Sequence, residues 1–160
     1  MKKKFVLQKA FLLIAALGLI SASCKKDTPT TVAFTGTYTT SNEVIDPPPV
    51  LKQKVTGIGF SNELNITKFV AITTQNRDTP PPFKLSGKCT WYAENGDVFY
   101  SDFAGTATPG SDGTITVEMT HTIAGGTGKF THASGTITGK TIADPKKPTA
   151  SIDTKGTITF

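Results

Sequence analysis

Few residues in this chain are equipped for chemistry, and His121 is foremost among them. It lies in Ile115-Thr116-Val117-Glu118-Met119-Thr120-His121-Thr122-Ile123, on the apolar side of an alternating run. If that side faces a core, the imidazole could act as a general base, hold a metal or satisfy one hydrogen bond. The hydrogen-bonded structural histidine is the preferred role. Tyr100 and Asp102 share one face of the next candidate run with Val98, while Phe99 and Phe103 share the other with Ser101. If the phenylalanines point outward, Tyr100 and Asp102 join His121 as the ligand-contacting set. If they point inward, Asp102 is a solvated surface charge, which is the preferred arrangement. His132 falls in a glycine-rich turn and is expected at the surface. Neither histidine has Cys, Asp or Glu at ligand spacing, so no metal and no cofactor is expected. No Ser-His-Asp order, paired carboxylates or nucleophile elbow is present, and no catalytic residue is assigned.

Strands must position these groups. Thr, Val, Ile and aromatic residues alternate with polar ones, and Gly, Pro, Asn and Asp punctuate the runs. Eight strands are expected: Val32–Thr39, Leu51–Phe60, Leu64–Thr73, Lys84–Tyr92, Val98–Thr106, Thr114–Ile123, Gly135–Thr141 and Ser151–Phe160. That pattern fits an all-β chain forming an up-and-down barrel or a sandwich. Cys89 sits inside the fourth strand and reads as a small core residue. Trp91, two positions on, reads as a cap on the core at the strand's end.

The links alternate in character. Those after strands one and three carry Pro47-Pro48-Pro49 and Pro80-Pro81-Pro82, the link after strand five is Ala107–Gly113, and the link after strand seven has Pro145 and Pro148. The others are mostly tighter. In a meander the first set lies at one end and both chain termini at the other. Proline blocks strand pairing and stiffens exposed loops, which is the plain reading of these triplets. A rigid rim around a binding mouth is the functional alternative.

The densest motif is Ala124-Gly125-Gly126-Thr127-Gly128-Lys129-Phe130-Thr131-His132-Ala133-Ser134-Gly135. Its glycines permit positive φ and close backbone approach, and Phe130 and Ala133 can pack into a barrel end. Gly125, Gly126, Gly128, Phe130, Ala133 and Gly135 are therefore expected to be structural. No helix signal follows the motif, which excludes a phosphate cradle. The stretch resembles the GGTG-x-F-x-x-A-x-G signature of dirigent proteins and allene oxide cyclase-like barrels. Ala93-Glu94-Asn95-Gly96-Asp97, Gly105-Thr106-Ala107-Thr108-Pro109 and the ending Lys155-Gly156-Thr157-Ile158-Thr159-Phe160 are similar to segments of exported bacterial relatives of those barrels. The resemblance implies an eight-stranded antiparallel up-and-down barrel, with trimers among the plant members. It implies no transferable catalytic residue, because the shared positions are turn glycines and packing residues.

The first residues give an address. Lys2, Lys3, Lys4 and Lys9 precede an apolar run from Phe11 to Ile20, too short to span a bilayer as a helix, and Ser21-Ala22-Ser23-Cys24 follows. This order resembles a bacterial lipoprotein leader over residues 1–23, with Cys24 lipidated and residues 24–31 a flexible tether before a single domain, 32–160. Ser21 departs from the usual large apolar residue at that place, and Ile20 is one step early. The expected location is the outer membrane of a Gram-negative bacterium, anchored by lipid. Asp27 alone in the tether does not choose between the periplasmic and surface faces. The leader takes four of the 17 basic residues and none of the 12 acidic ones, leaving a net charge of about +1, which excludes the basic footprint of a nucleic-acid binder. With Cys24 lipidated, Cys89 has no partner for an internal disulfide. The expected function is a non-enzymatic binding module for a small apolar ligand or a protein partner. A structural envelope protein with a filled core and a cyclase-like isomerase using His121 with Asp102 are the alternatives.

Overall fold

The computed structural model describes residues 28–160, so Cys24 and the expected leader lie outside the described residues. The strands are β1 (Thr31–Asp46), β2 (Val50–Ser61), β3 (Ile66–Asn76), β4 (Phe83–Ala93), β5 (Val98–Pro109), β6 (Ile115–Gly126), β7 (Ser134–Ala143) and β8 (Thr149–Thr159). Each pairs antiparallel with its sequence neighbours, and β1 pairs with β8 to close the barrel. A three-residue 3₁₀ turn, Gly128–Phe130, is the other regular element among the described residues.

The alternation gives each strand a buried face, and the β1–β8 pairing closes those faces around one interior. With Phe34, Tyr38, Phe69, Trp91, Phe99 and Phe103 buried on β1, β3, β4 and β5, and Leu51, Ile123, Ile137 and Ile152 on the other four, one face of every strand is committed to the inside. Two glycines make room for these rings. Gly57 stands opposite Phe69, and Gly87 opposite Phe103. A Cβ at either glycine would collide with the partner's ring. The aromatic covers the gap in the wall that its cross-strand glycine leaves. Outside, the strands carry cross-strand charge pairs, Lys88–Asp102 and Lys140–Glu118, each at 2.8 Å. Such exposed pairs contribute little to stability.

An even number of strands returns the chain to its starting end. Thr30 N–H donates to the Phe160 carbonyl at 2.8 Å, and Phe160 N–H donates back to Thr30 at 3.0 Å. The proline-bearing links therefore collect at the opposite end, and Arg77 N–H donates to the Pro49 carbonyl at 2.9 Å to join two of them. The expected topology holds.

The strands run further toward the proline end than expected. β1 continues to Asp46 instead of ending at Thr39, β3 to Asn76 instead of Thr73, and β5 to Pro109 instead of Thr106. On β1 and β3 the inward residues there are polar, Thr40, Asn42 and Gln75, so the contrast between faces that marks a strand is lost; on β5 the inward residue is the small Ala107. At the end that holds Thr30 and Phe160, β3 starts at Ile66 and not Leu64. Glu63 and Asn65 both adopt positive φ in the turn before it, and Leu64 tucks into the core from that turn.

Candidate functional site

The barrel interior divides into a packed half and a hollow half. At the end that holds Thr30 and Phe160, Phe34, Phe99, Phe130 and Ile158 are fully buried, and the rings of Phe99 and Phe130 meet edge to face at 5.3 Å. Ring packing continues upward to Trp91, which stacks on Phe99 with centroids 5.5 Å apart and planes 11° from parallel. Above Trp91 the wall continues but the filling stops. A cavity of about 430 Å³ runs from Trp91, Phe69, Phe103 and His121 to the proline loops, where Arg77, Asp144, Pro145, Lys147 and Pro148 form its rim. Eight strands enclose a space just wide enough for side chains to fill. Here the inward positions above the floor are small or slender: Ala71, Thr73, Ala107, Val117, Thr141 and Ala143. The void is the direct result.

The floor carries one polar chain. Trp91 Nε1–H donates to Ser101 Oγ at 3.0 Å, and Ser101 Oγ lies 3.1 Å from His121 Nδ1. Ring contacts with Phe103 at 4.9 Å and Trp91 at 5.2 Å confine the imidazole. Burial disfavours its charged form and pulls its pKa from 6.5 to about 4, so it is neutral at pH 7. Near the mouth, Arg77 donates from Nε and Nη2 to Gln75 Oε1 at 3.2 and 3.1 Å, which satisfies a buried amide and holds the guanidinium at the rim. Deeper in the packed half, burial pushes up both the Tyr38 hydroxyl and the Cys89 thiol. Cys89 is a buried core residue, and this shift makes it a poor nucleophile.

The structure separates the three residues considered together as ligand contacts. His121 faces the lumen. Phe99, Ser101 and Phe103 also face inward, so Tyr100 and Asp102 stand on the outer surface. Asp102 Oδ1 accepts from Lys88 Nζ there, and Tyr100 is 43% exposed. Neither reaches the lumen, because the period of a strand places neighbours on opposite sides of the wall. Trp91 does close the packed half, but it also floors the cavity. His132 is exposed in its turn. Residues that sequence reasoning passed over, Gln53, Thr73, Gln75 and Arg77, line the upper cavity. Their signal is the unbroken period of two in Leu51, Gln53, Val55 and in Phe69, Ala71, Thr73, Gln75.

The glycine turn closes the end that holds Thr30 and Phe160. Gly125, Gly128 and Gly135 have positive φ, and Phe130 and Ala133 are buried beneath them. At Gly128 a Cβ would also strike the Asp97 carboxylate. Gly126 has no positive φ, but a Cβ there would meet the Val98 carbonyl. Thr127 exchanges hydrogen bonds with Val98, its N–H donating to the carbonyl at 2.8 Å and its Oγ1 accepting from the N–H at 3.0 Å. The glycine turn and the Ala93–Asp97 hairpin are therefore one packed unit.

A larger concavity, about 850 Å³, lies on the outside of β5–β8 among Glu118, Lys140, Asp153 and Lys155. It is a surface trough crossed by the Glu118–Lys140 ion pair, and its one buried polar side chain, Thr154, is already spent on the Gly36 carbonyl. The lumen is the better site. No protein-family model, curated protein or solved structure matches the chain.

Proposed function

We propose that this protein is a lipid-anchored envelope lipoprotein whose barrel binds a small apolar ligand in its lumen. The observation that carries this is the cavity of about 430 Å³, within the ~300–1,000 Å³ range of ligand pockets. Its walls combine Val, Ile, Leu, Met and aromatic side chains with Thr40, Asn42, Gln53, Thr73 and Gln75 toward the proline-loop rim. Val44, Ile45 and Val50, exposed at 57%, 45% and 47%, give that end an apolar lip on the β1–β2 hairpin. A filled structural core would lack this space. For an isomerase, the pair His121 and Asp102 is not assembled, since they stand on opposite sides of the wall. The Lys-rich leader ending at Cys24 supports lipid anchoring at the outer membrane, and the shared end of Thr30 and Phe160 supports a mouth directed away from the anchor. The glycine turn, the Ala93–Asp97 hairpin and the eight-stranded barrel together support kinship with the allene oxide cyclase-like and dirigent-like barrels.

The test compares two substitutions on β5. Ala107 lines the lumen and Ala104 faces outward. Ala107→Phe should abolish saturable binding of the neutral fluorophore N-phenyl-1-naphthylamine, while Ala104→Phe leaves it unchanged. Equal binding by both variants, each folded by circular dichroism, would place the fluorophore outside the lumen and refute the proposal.

A further inference from the structure

We propose that His121 serves the lumen as a neutral hydrogen-bond donor through Nε2, so that the preferred occupant is an uncharged apolar molecule carrying an acceptor oxygen at its leading end. This rests on the lumen being the binding site and specifies what it selects.

Hydrogen accounting at the floor assigns the tautomer. Trp91 Nε1 can only donate, and its partner is Ser101 Oγ. That oxygen carries one proton of its own and lies 3.1 Å from His121 Nδ1. If Nδ1 also donated, Ser101 Oγ would accept twice and its hydroxyl proton would have no acceptor among the described residues. With Ser101 donating to Nδ1, the Trp91 and Ser101 hydrogens both find acceptors and the ring proton resides on Nε2. Nε2 has no protein partner among the described residues, yet no fully buried side-chain nitrogen or oxygen there lacks one. Nε2 is therefore the nitrogen open to the cavity that His121 lines.

The surroundings define what that donor can serve. Trp91 and Phe103 flank the imidazole, and no carboxylate or cation lies with it at the floor. The charged lining residues, Arg77, Asp144 and Lys147, are all at the rim. An ionised ligand group carried to the floor would lose its hydration with no opposite charge to meet it. An uncharged carbonyl or ether oxygen loses far less and gains the directional contact that Nε2–H offers at the floor.

The experiment is competitive displacement of N-phenyl-1-naphthylamine by two near-isosteres, 2-acetylnaphthalene and 2-isopropenylnaphthalene, which differ by a carbonyl oxygen in place of a methylene. Wild-type protein should favour the ketone by about tenfold, the span of one hydrogen bond in an apolar site. His121→Leu should bind both alike. Nitrogen-15 spectra of the wild-type imidazole at pH 7 should show the Nε2-protonated form, a readout that needs no variant to fold. Equal displacement by both compounds in wild type, a ketone preference kept in His121→Leu, or an Nδ1-protonated ring would each overturn the donor role while leaving lumen binding intact. Failure of the fluorophore itself to bind would remove the lumen as a site, and this inference with it.

Discussion

At the scale of the residue, His121 is the group whose surroundings make the sharpest demands. A histidine at pKa about 4 in the native state and 6.5 unfolded binds fewer protons folded than unfolded throughout that interval. Stability therefore rises with pH across this window and is level above it. Between pH 7 and pH 5 the native state should lose about 2 kcal/mol through this group alone. Urea denaturation at the two pH values should show that loss in wild type and not in His121→Phe. A loss of equal size in both would assign the effect to other groups. Trp91 carries the floor's packing, touching Phe34, Tyr38, Phe69, Phe99 and His121 with centroids 5.0 to 5.9 Å apart. Trp91→Ala should cost about 3–5 kcal/mol, as truncation of a large core aromatic does. A change below about 1 kcal/mol, the ordinary size for a surface position, would contradict its place at the centre of the core.

At the scale of the element, the alternation of apolar and polar residues was enough to read all eight strands, because one face of each is filled with buried side chains, while their meander was legible in the alternating links and in the resemblance to known barrels. It failed where the inside of the barrel turns wet. Thr40, Asn42 and Gln75 point inward into the mouth, so the usual contrast between faces disappears and a strand looks like a loop. The same loss of contrast hid the upper half of the candidate site. His121 was legible because it interrupts an apolar face. Which side of β5 faced inward was not settled by its sequence, since Tyr100 stands beside Phe99 and Phe103 and aromatic residues occupy both faces. The three-dimensional register resolves it in favour of the phenylalanines. The glycine turn was legible as structure, and its chemistry is backbone geometry. Gly128 combines φ of 52° with contact to Asp97, so Gly128→Val should cost more than about 1 kcal/mol. An unchanged melting temperature would show that the turn tolerates a side chain there.

At the scale of the whole molecule, an even-stranded meander separates two jobs. One end gathers Thr30 and Phe160, the glycine turn and a solid aromatic plug; the other gathers the proline loops and an open cavity. A lipid on Cys24 would hold the solid end toward a bilayer and leave the mouth facing outward. Cys24→Ser should then move the protein from membrane to soluble fractions and abolish palmitate labelling, and membrane retention without label would contradict the lipid anchor. The central claim is that the hollow end admits an apolar ligand down to Trp91. Trp91 is the single tryptophan of the chain, so its emission reports on the floor of the cavity without any added label. The decisive measurement is energy transfer from Trp91 to N-phenyl-1-naphthylamine during a titration of the wild-type protein. Entry into the lumen puts donor and acceptor almost in contact, and near-complete quenching of Trp91 at a stoichiometry of one is the expected result. Absence of saturable quenching, or partial quenching that climbs without a one-to-one endpoint, would contradict it.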